Sequence, residues 1–334
     1  MDNSKYAYIV GRLRALDTKM MNQSILERLL DASEADQAYR VLNDMPLVAD
    51  YLDNSSVKDF NSVLIRSLQG MKDLMTQMAP YPEVLEFLWS KYDFHNFKLS
   101  LKASLSGHGY SDIEHALIDF GTHSIKDWER YLLEGADIDI VHQFSKQVSL
   151  VKEAYEKTGD LQNVDYILDA AYLIRLKVIS DNIGSGLIDS YLKRLIDFSN
   201  LKAYVRVTEL GFDRSFFENV LLDGGYVSAE VFASSHGRTY DELRQTVEKL
   251  MNADDLAYAL ERFIEDKSMC FFERKIHEYQ QNFMNQSSKI VFGPEPVFAF
   301  FYRFERHMQI IRAVLIGKIN HLPVDEISKN IVVL

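Results

Sequence analysis

The chain has 334 residues, 47% of them hydrophobic and 26% charged, and its 37 Lys and Arg against 49 Asp and Glu give a formal net charge of −12. That length suits roughly two or three units of ordinary domain size, and the composition excludes wholesale disorder. The acidic balance opposes nucleic acid and anionic lipid as partners, since either needs clustered Lys and Arg and no run of five or more cations occurs.

With 15 Gly and 6 Pro there is little material for frequent tight turns, so long helices are expected. Leu13, Leu16 and Met20 open the chain at helical spacing, and Ile25, Leu26, Leu29 and Leu30 continue it. Ala35, Ala38, Tyr39 and Leu42 predict a second short helix, with Ser33 as its N-cap and Asp36 in its first turn. The same pairing of a small residue with a cap, Ala32-Ser33, returns as Ala136-Asp137 and as Ala253-Asp254, the last inside Leu250-Met251-Asn252-Ala253-Asp254.

A second set of marks carries the same period. Asp93-Phe94-His95-Asn96-Phe97-Lys98 reappears as Asp197-Phe198-Ser199-Asn200-Leu201-Lys202, a shift of 104 positions. A looser copy, His307-Met308-Gln309-Ile310-Ile311-Arg312, follows 110 positions later. The spacing predicts an all-α chain of three homologous helical units at 1–110, 111–215 and 216–334. Each unit opens with a helical hairpin and closes on a helix that carries the hexapeptide. Gly107-His108-Gly109 and Gly211 stand where the first two closing helices should stop.

On a helix Asp197, Asn200, Leu201 and Tyr204 share one face. Asp and Asn among apolar side chains must find hydrogen-bond partners, because an unpaired buried polar group costs about 1–3 kcal/mol. The expectation is that Asp93, Asn96, Asp197 and Asn200 satisfy backbone groups at a helix junction. Lys98, Lys202 and Arg312 point away from that stripe, either as solvated cations or as contacts to an acidic partner.

Residues suited to chemistry do not assemble. The nine histidines include no His-Glu-x-x-His or i, i+4 pair for zinc. Gly184-Ser185-Gly186 lacks the later glycine, lysine and hydroxyl of a phosphate loop and reads as a flexible turn. No Gly-x-Ser-x-Gly elbow occurs. Cys270, the single cysteine, is read as a buried packing residue, and it excludes an internal disulfide, pointing to a reducing compartment. No secretory leader is read at the amino terminus. No stretch approaches the ~20 apolar residues that cross a bilayer. The nearest, Ile290 to Phe304, is interrupted by Gly293, Pro294, Glu295, Pro296 and Arg303.

The carboxyl-terminal third holds the most specific segments: Phe272-Glu273-Arg274-Lys275, Gly293-Pro294-Glu295-Pro296-Val297-Phe298-Ala299-Phe300-Phe301, and Ile311 through Pro323. With Gly11-Arg12-Leu13-Arg14-Ala15-Leu16 near the start, they make the chain resemble the C subunits of the vacuolar/archaeal-type rotary ATPases, called d subunits in eukaryotes. The resemblance implies a funnel-like body of three pseudo-symmetric helical units. It implies a central-stalk subunit with no catalytic residues, cofactor or metal. Its partners would be the D- and F-type shaft subunits and the membrane rotor ring of proteolipid subunits, on the cytoplasmic face, with ATP turnover coupled to proton or sodium transport. No nucleic acid and no small-molecule substrate belong to that role. On this reading the cation face at Lys98, Lys202 and Arg312 borders a central opening that receives the shaft. The rival reading is a helical-repeat adaptor for an unrelated partner, although solenoid repeats recur every 20–50 residues.

Overall fold

The computed structural model describes residues 2–53, 55–250 and 253–333, without the side chains of Cys270, Glu273, Lys329, Asn330, Val332 and Val333. The packing role expected of Cys270, and the Met251 and Asn252 of the third repeat mark, therefore lie outside the described residues. Among the described residues every regular element is a helix and none is a strand, so the all-α class read from the sequence is the class observed.

Three helices are 25 residues long: Pro82–Ser106, Gly186–Leu210 and Glu295–Ile319. Each carries one copy of the hexapeptide, and each follows another long helix, Phe60–Met78, Gln162–Ile183 and Cys270–Ser287 respectively. The first two 25-residue helices stop as their glycines require. Gly107 and Gly211 take the left-handed conformation at φ 75° and 65°, which costs glycine little because it has no Cβ. The amides that follow, His108 N–H to Ala103 O at 2.9 Å and Phe212 N–H to Val207 O at 3.1 Å, close the same terminal turn 104 positions apart.

The chain packs as two compact units, Met1–Leu85 with Met284–Leu334, and Glu86–Phe283. In the first, the Glu295–Ile319 helix lies against the helices Ala7–Asp17, Ala35–Val41, Phe60–Met78 and Val324–Val333. The aromatic run expected in the core is there: Val297 through Tyr302 and Phe304 are all buried. Each such ring contributes about 1.5–3 kcal/mol by leaving water. In the second unit one continuous core runs from Phe94 and Trp128 through Leu168 and Phe198 to Phe217, Leu260 and Phe272.

Three capping expectations are corrected. The cap of the Ala35–Val41 helix is Glu34, without a side-chain cap bond, and Ser33 instead directs its N–H and hydroxyl to Gln37 Oε1 at 3.1 and 2.9 Å. Ile138 and Ala253 occupy the cap positions expected for Asp137 and Asp254. In each case the helix begins one residue away from the position read in the sequence, so the small-residue mark records the repeat without performing the cap. Gly184-Ser185-Gly186 is an ordered junction, with Gly184 ending one helix and Ser185 Oγ accepting from Ile188 N–H at 3.3 Å to begin the next.

Candidate functional site

The polar residues of the repeated hexapeptide are fully buried: Asp93 2%, Asn96 0%, Asp197 0% and Asn200 0% exposed. Their partners lie in loops of the unit Glu86–Phe283, backbone groups for both asparagines and a mixture of backbone and side-chain groups for Asp93. Asn96 Nδ2 donates to Ile118 O at 2.9 Å, and its Oδ1 accepts from Ile118 N–H at 2.9 Å. Asn200 does the same to Leu222, at 2.8 Å for both bonds. One amide side chain thus replaces a backbone partner for both polar groups of a single loop residue. The two loop residues, like the two asparagines, are 104 positions apart.

The aspartates grip the same loops farther on. Asp93 receives four hydrogen bonds, from Thr122 N–H at 2.9 Å, Thr122 Oγ1 at 2.7 Å, His123 N–H at 2.9 Å and His123 Nδ1 at 3.2 Å. The bond to Asp93 is the main reason the His123 imidazole is held above its usual pKa. Asp197 Oδ1 accepts from Val227 N–H at 2.9 Å, and the Tyr226 backbone amide also favours the ionised carboxylate, while Oδ2 has no hydrogen-bond partner among the described residues. Arg194 Nη1 stands 3.7 Å from that oxygen. Burial pushes the Asp197 carboxyl up to about 6.

A glycine is required beside each carboxylate. A Cβ on Gly121 or Gly225 would sit far inside van der Waals contact with the Oδ1 of Asp93 or Asp197. Neither glycine has a positive φ, so the constraint is space and not backbone conformation. Gly121 and Gly225 were legible as a further pair at the 104-residue shift, but the loops around them share too few residues for the match to stand out. A third grip exists in the second copy only, where the Tyr204 hydroxyl lies 2.9 Å from Arg238 O. Burial lifts that phenol to about 12, and the equivalent position in the first copy is Ser100.

The repeated cations lie on another side. Lys98 pairs with Asp169 at 2.8 Å and Lys102 with Asp165 at 2.6 Å, both acids belonging to the Gln162–Ile183 helix. Asp165, Asp169, Tyr166, Leu195, Lys202 and Arg206 line a cavity of about 520 Å³ in the same unit. The Tyr166 hydroxyl and Arg206 Nε have no hydrogen-bond partner among the described residues. Lys98 is therefore bound to an acid of its own chain and is not a solvated cation; Lys202 lines the cavity. Lys102, Asp165 and Asp169 were not singled out in the sequence, because acidic and basic residues on separate helices carry no local mark of being partners.

The third copy is built differently. His307 replaces the aspartate and Ile310 the asparagine, so no polar clasp forms there. His307 is partly buried, its Nδ1 has no hydrogen-bond partner among the described residues, and burial beside Arg303 lowers it to about 4. Arg312 is half-buried in the first unit, and its Nε has no hydrogen-bond partner among the described residues. Among the described residues no group of three or more His, Cys, Asp or Glu is arranged to hold a metal ion.

The fold and the site define an all-helical protein in which two copies of a hexapeptide bury Asp and Asn to clamp equivalent loops. The family description "ATP synthase (C/AC39) subunit" matches residues 9–330, and the chain belongs to that family. It is similar to the V-type sodium ATPase C subunit of Enterococcus hirae, 20% identical over 319 residues that cover 95% of each chain. It is also similar to the A-type ATP synthase C subunits of Thermoplasma volcanium, 21% identical over 97% of each chain, and Thermoplasma acidophilum, 23% identical over 99% of each.

Proposed function

We propose that this chain is a non-catalytic central-stalk subunit of a V/A-type rotary ATPase, coupling the rotor shaft to the membrane rotor ring for ATP-linked proton or sodium transport. The observation that carries this reading is the end-to-end family match at 9–330, together with relatives named as C subunits over nearly their whole length. Its partners are the D- and F-type shaft subunits and the ring of proteolipid subunits, and it sits peripherally on the cytoplasmic face. No described helix is long and apolar enough to cross a membrane, so attachment to the ring is assigned to protein surface. Ile316, Ile319, Leu322 and Val324, each more than a third exposed at the end of the Glu295–Ile319 helix and the turn after it, supply apolar surface of the kind such docking uses.

The three repeat units at 1–110, 111–215 and 216–334 are the working parts of this proposal. The three 25-residue helices with their preceding long helices support that division. An adaptor that passes torque between moving parts gains from close-packed helices, which have low compressibility and transmit strain.

Isolation of the native complex through a tag on this chain tests the reading. Recovery of ring and head subunits is expected, as is loss of ATP-driven ion pumping when the chain is deleted and its return on re-addition. Recovery of an unrelated partner without rotor subunits would establish the helical adaptor in its place.

A further inference from the structure

The two hexapeptide clasps hold equivalent loops with unequal chemistry. Asp93 is satisfied on both oxygens by four donors. Asp197 is wholly buried, accepts from Val227 N–H on Oδ1, and leaves Oδ2 with no hydrogen-bond partner among the described residues. Where the first loop offers Thr122 and His123, the second offers Tyr226 and Val227, which present backbone amides but no side-chain donor to the carboxylate.

The charged and titratable groups around Asp197 do not replace those donors. Arg194, one turn back on the same helix, is the cation that faces it. That guanidinium is 3.7 Å from Oδ2 and also 3.8 Å from Asp255 at the start of the Asp254–Asp266 helix. It lies over the rings of Tyr226, in the loop, and Tyr279, on the Cys270–Ser287 helix, with centroids at 5.0 and 5.5 Å. Lys193 is likewise placed over Tyr226, at 5.8 Å. Arg194 is thus shared between two carboxylates and two rings, and Asp255 opposes the ionised form of Asp197.

We propose that Asp197 is a proton-responsive latch on the 222–227 loop, seated more firmly when its carboxyl is protonated, whereas the equivalent Asp93 clasp answers both carboxylate oxygens with hydrogen-bond donors. A buried carboxylate with one oxygen lacking a hydrogen bond carries a desolvation penalty that the shared Arg194 offsets only in part, and a proton removes it. The sign follows from the direction of the shift. Asp197 titrates near 6 in the folded chain against about 3.9 for an exposed Asp, so the latch is strongest below about pH 4 and weakens as pH rises through 6. The loop it holds leads into the Ala229–Ser234 helix, so a rise in local pH loosens one defined segment.

Amide hydrogen exchange on the full-length chain, corrected for intrinsic rate, tests this in the 222–228 segment between pH 7 and pH 5. Protection is expected to rise about tenfold on acidification. Asp197→Asn keeps the acceptor for Val227 and has no charge to bury, so it should hold the segment at its acid level at both pH values. An equal pH response in D197N, or none in the parent chain, overturns the latch. Should D197N fail to fold, a carbon-13 titration of the Asp197 carboxyl in the parent chain decides: a midpoint near 6 supports the proposal and one below 4.5 removes it.

Discussion

Asn200 ties both polar groups of Leu222 into the core at 2.8 Å, and Leu222 is itself buried. Asn200→Ala leaves a buried N–H and a buried C=O unpaired and should cost roughly 2–4 kcal/mol. Asn200→Asp retains the acceptor but sets a carboxylate oxygen against Leu222 O, so it should be worse than alanine. Trp89 and Trp128, the only tryptophans of the chain, are both buried in the unit Glu86–Phe283, so fluorescence-detected urea unfolding reports on that unit alone. Gly225→Ala should lower the same transition by about 1–3 kcal/mol, since its Cβ displaces the Asp197 carboxyl and also meets Val227 O at 3.2 Å. The polar half of each clasp was legible in the sequence, because Asp and Asn at helical spacing among Phe, Leu and Tyr must be buried and therefore paired. The loop half was not, since its partners lie 22 to 30 residues away and bond through backbone, which no side chain announces.

Helix type and length followed from periodicity and from glycine placement, and the caps did not. Ser33, Asp137 and Asp254 have the residue types that cap helices, yet the chain begins each helix one residue away. A cap is decided by the local path into the helix, which tertiary packing can shift by one position at a cost near 1 kcal/mol. Element contact also sets Gly317. A Cβ there would come within 2.5 to 2.7 Å of the Ile327 side chain, so the helices Glu295–Ile319 and Val324–Val333 approach closely at this point. Gly317→Ala should force them apart and destabilise the unit by about 1–3 kcal/mol. The change should appear in hydrogen exchange of 324–333 and leave the tryptophan signal of the other unit unmoved.

For the molecule as a whole, the family reading carries a charge prediction. On the proposed stalk role, reversal of Lys98 and Lys202 to Glu together should weaken binding of the shaft subunits by tenfold or more, measured by calorimetry on the purified chain. The Lys98 ion pair is partly exposed, so loss of that pair costs stability no more than about 1 kcal/mol. Unchanged affinity would remove the cation face from the docking surface.

The sequence by itself determined the helical class, the 104-residue period, the burial of Asp93, Asn96, Asp197 and Asn200, and the family. Those properties are local or repeated, so each leaves its mark in spacing. Only the tertiary structure decided which loop each clasp holds, that Lys98 meets Asp169, and that Asp197 has one oxygen unanswered where Asp93 has none. Hydrogen bonds and ion pairs between distant segments depend on ångström-scale placement, and a chain whose two copies keep the same Asp can surround it with different donors without altering the period.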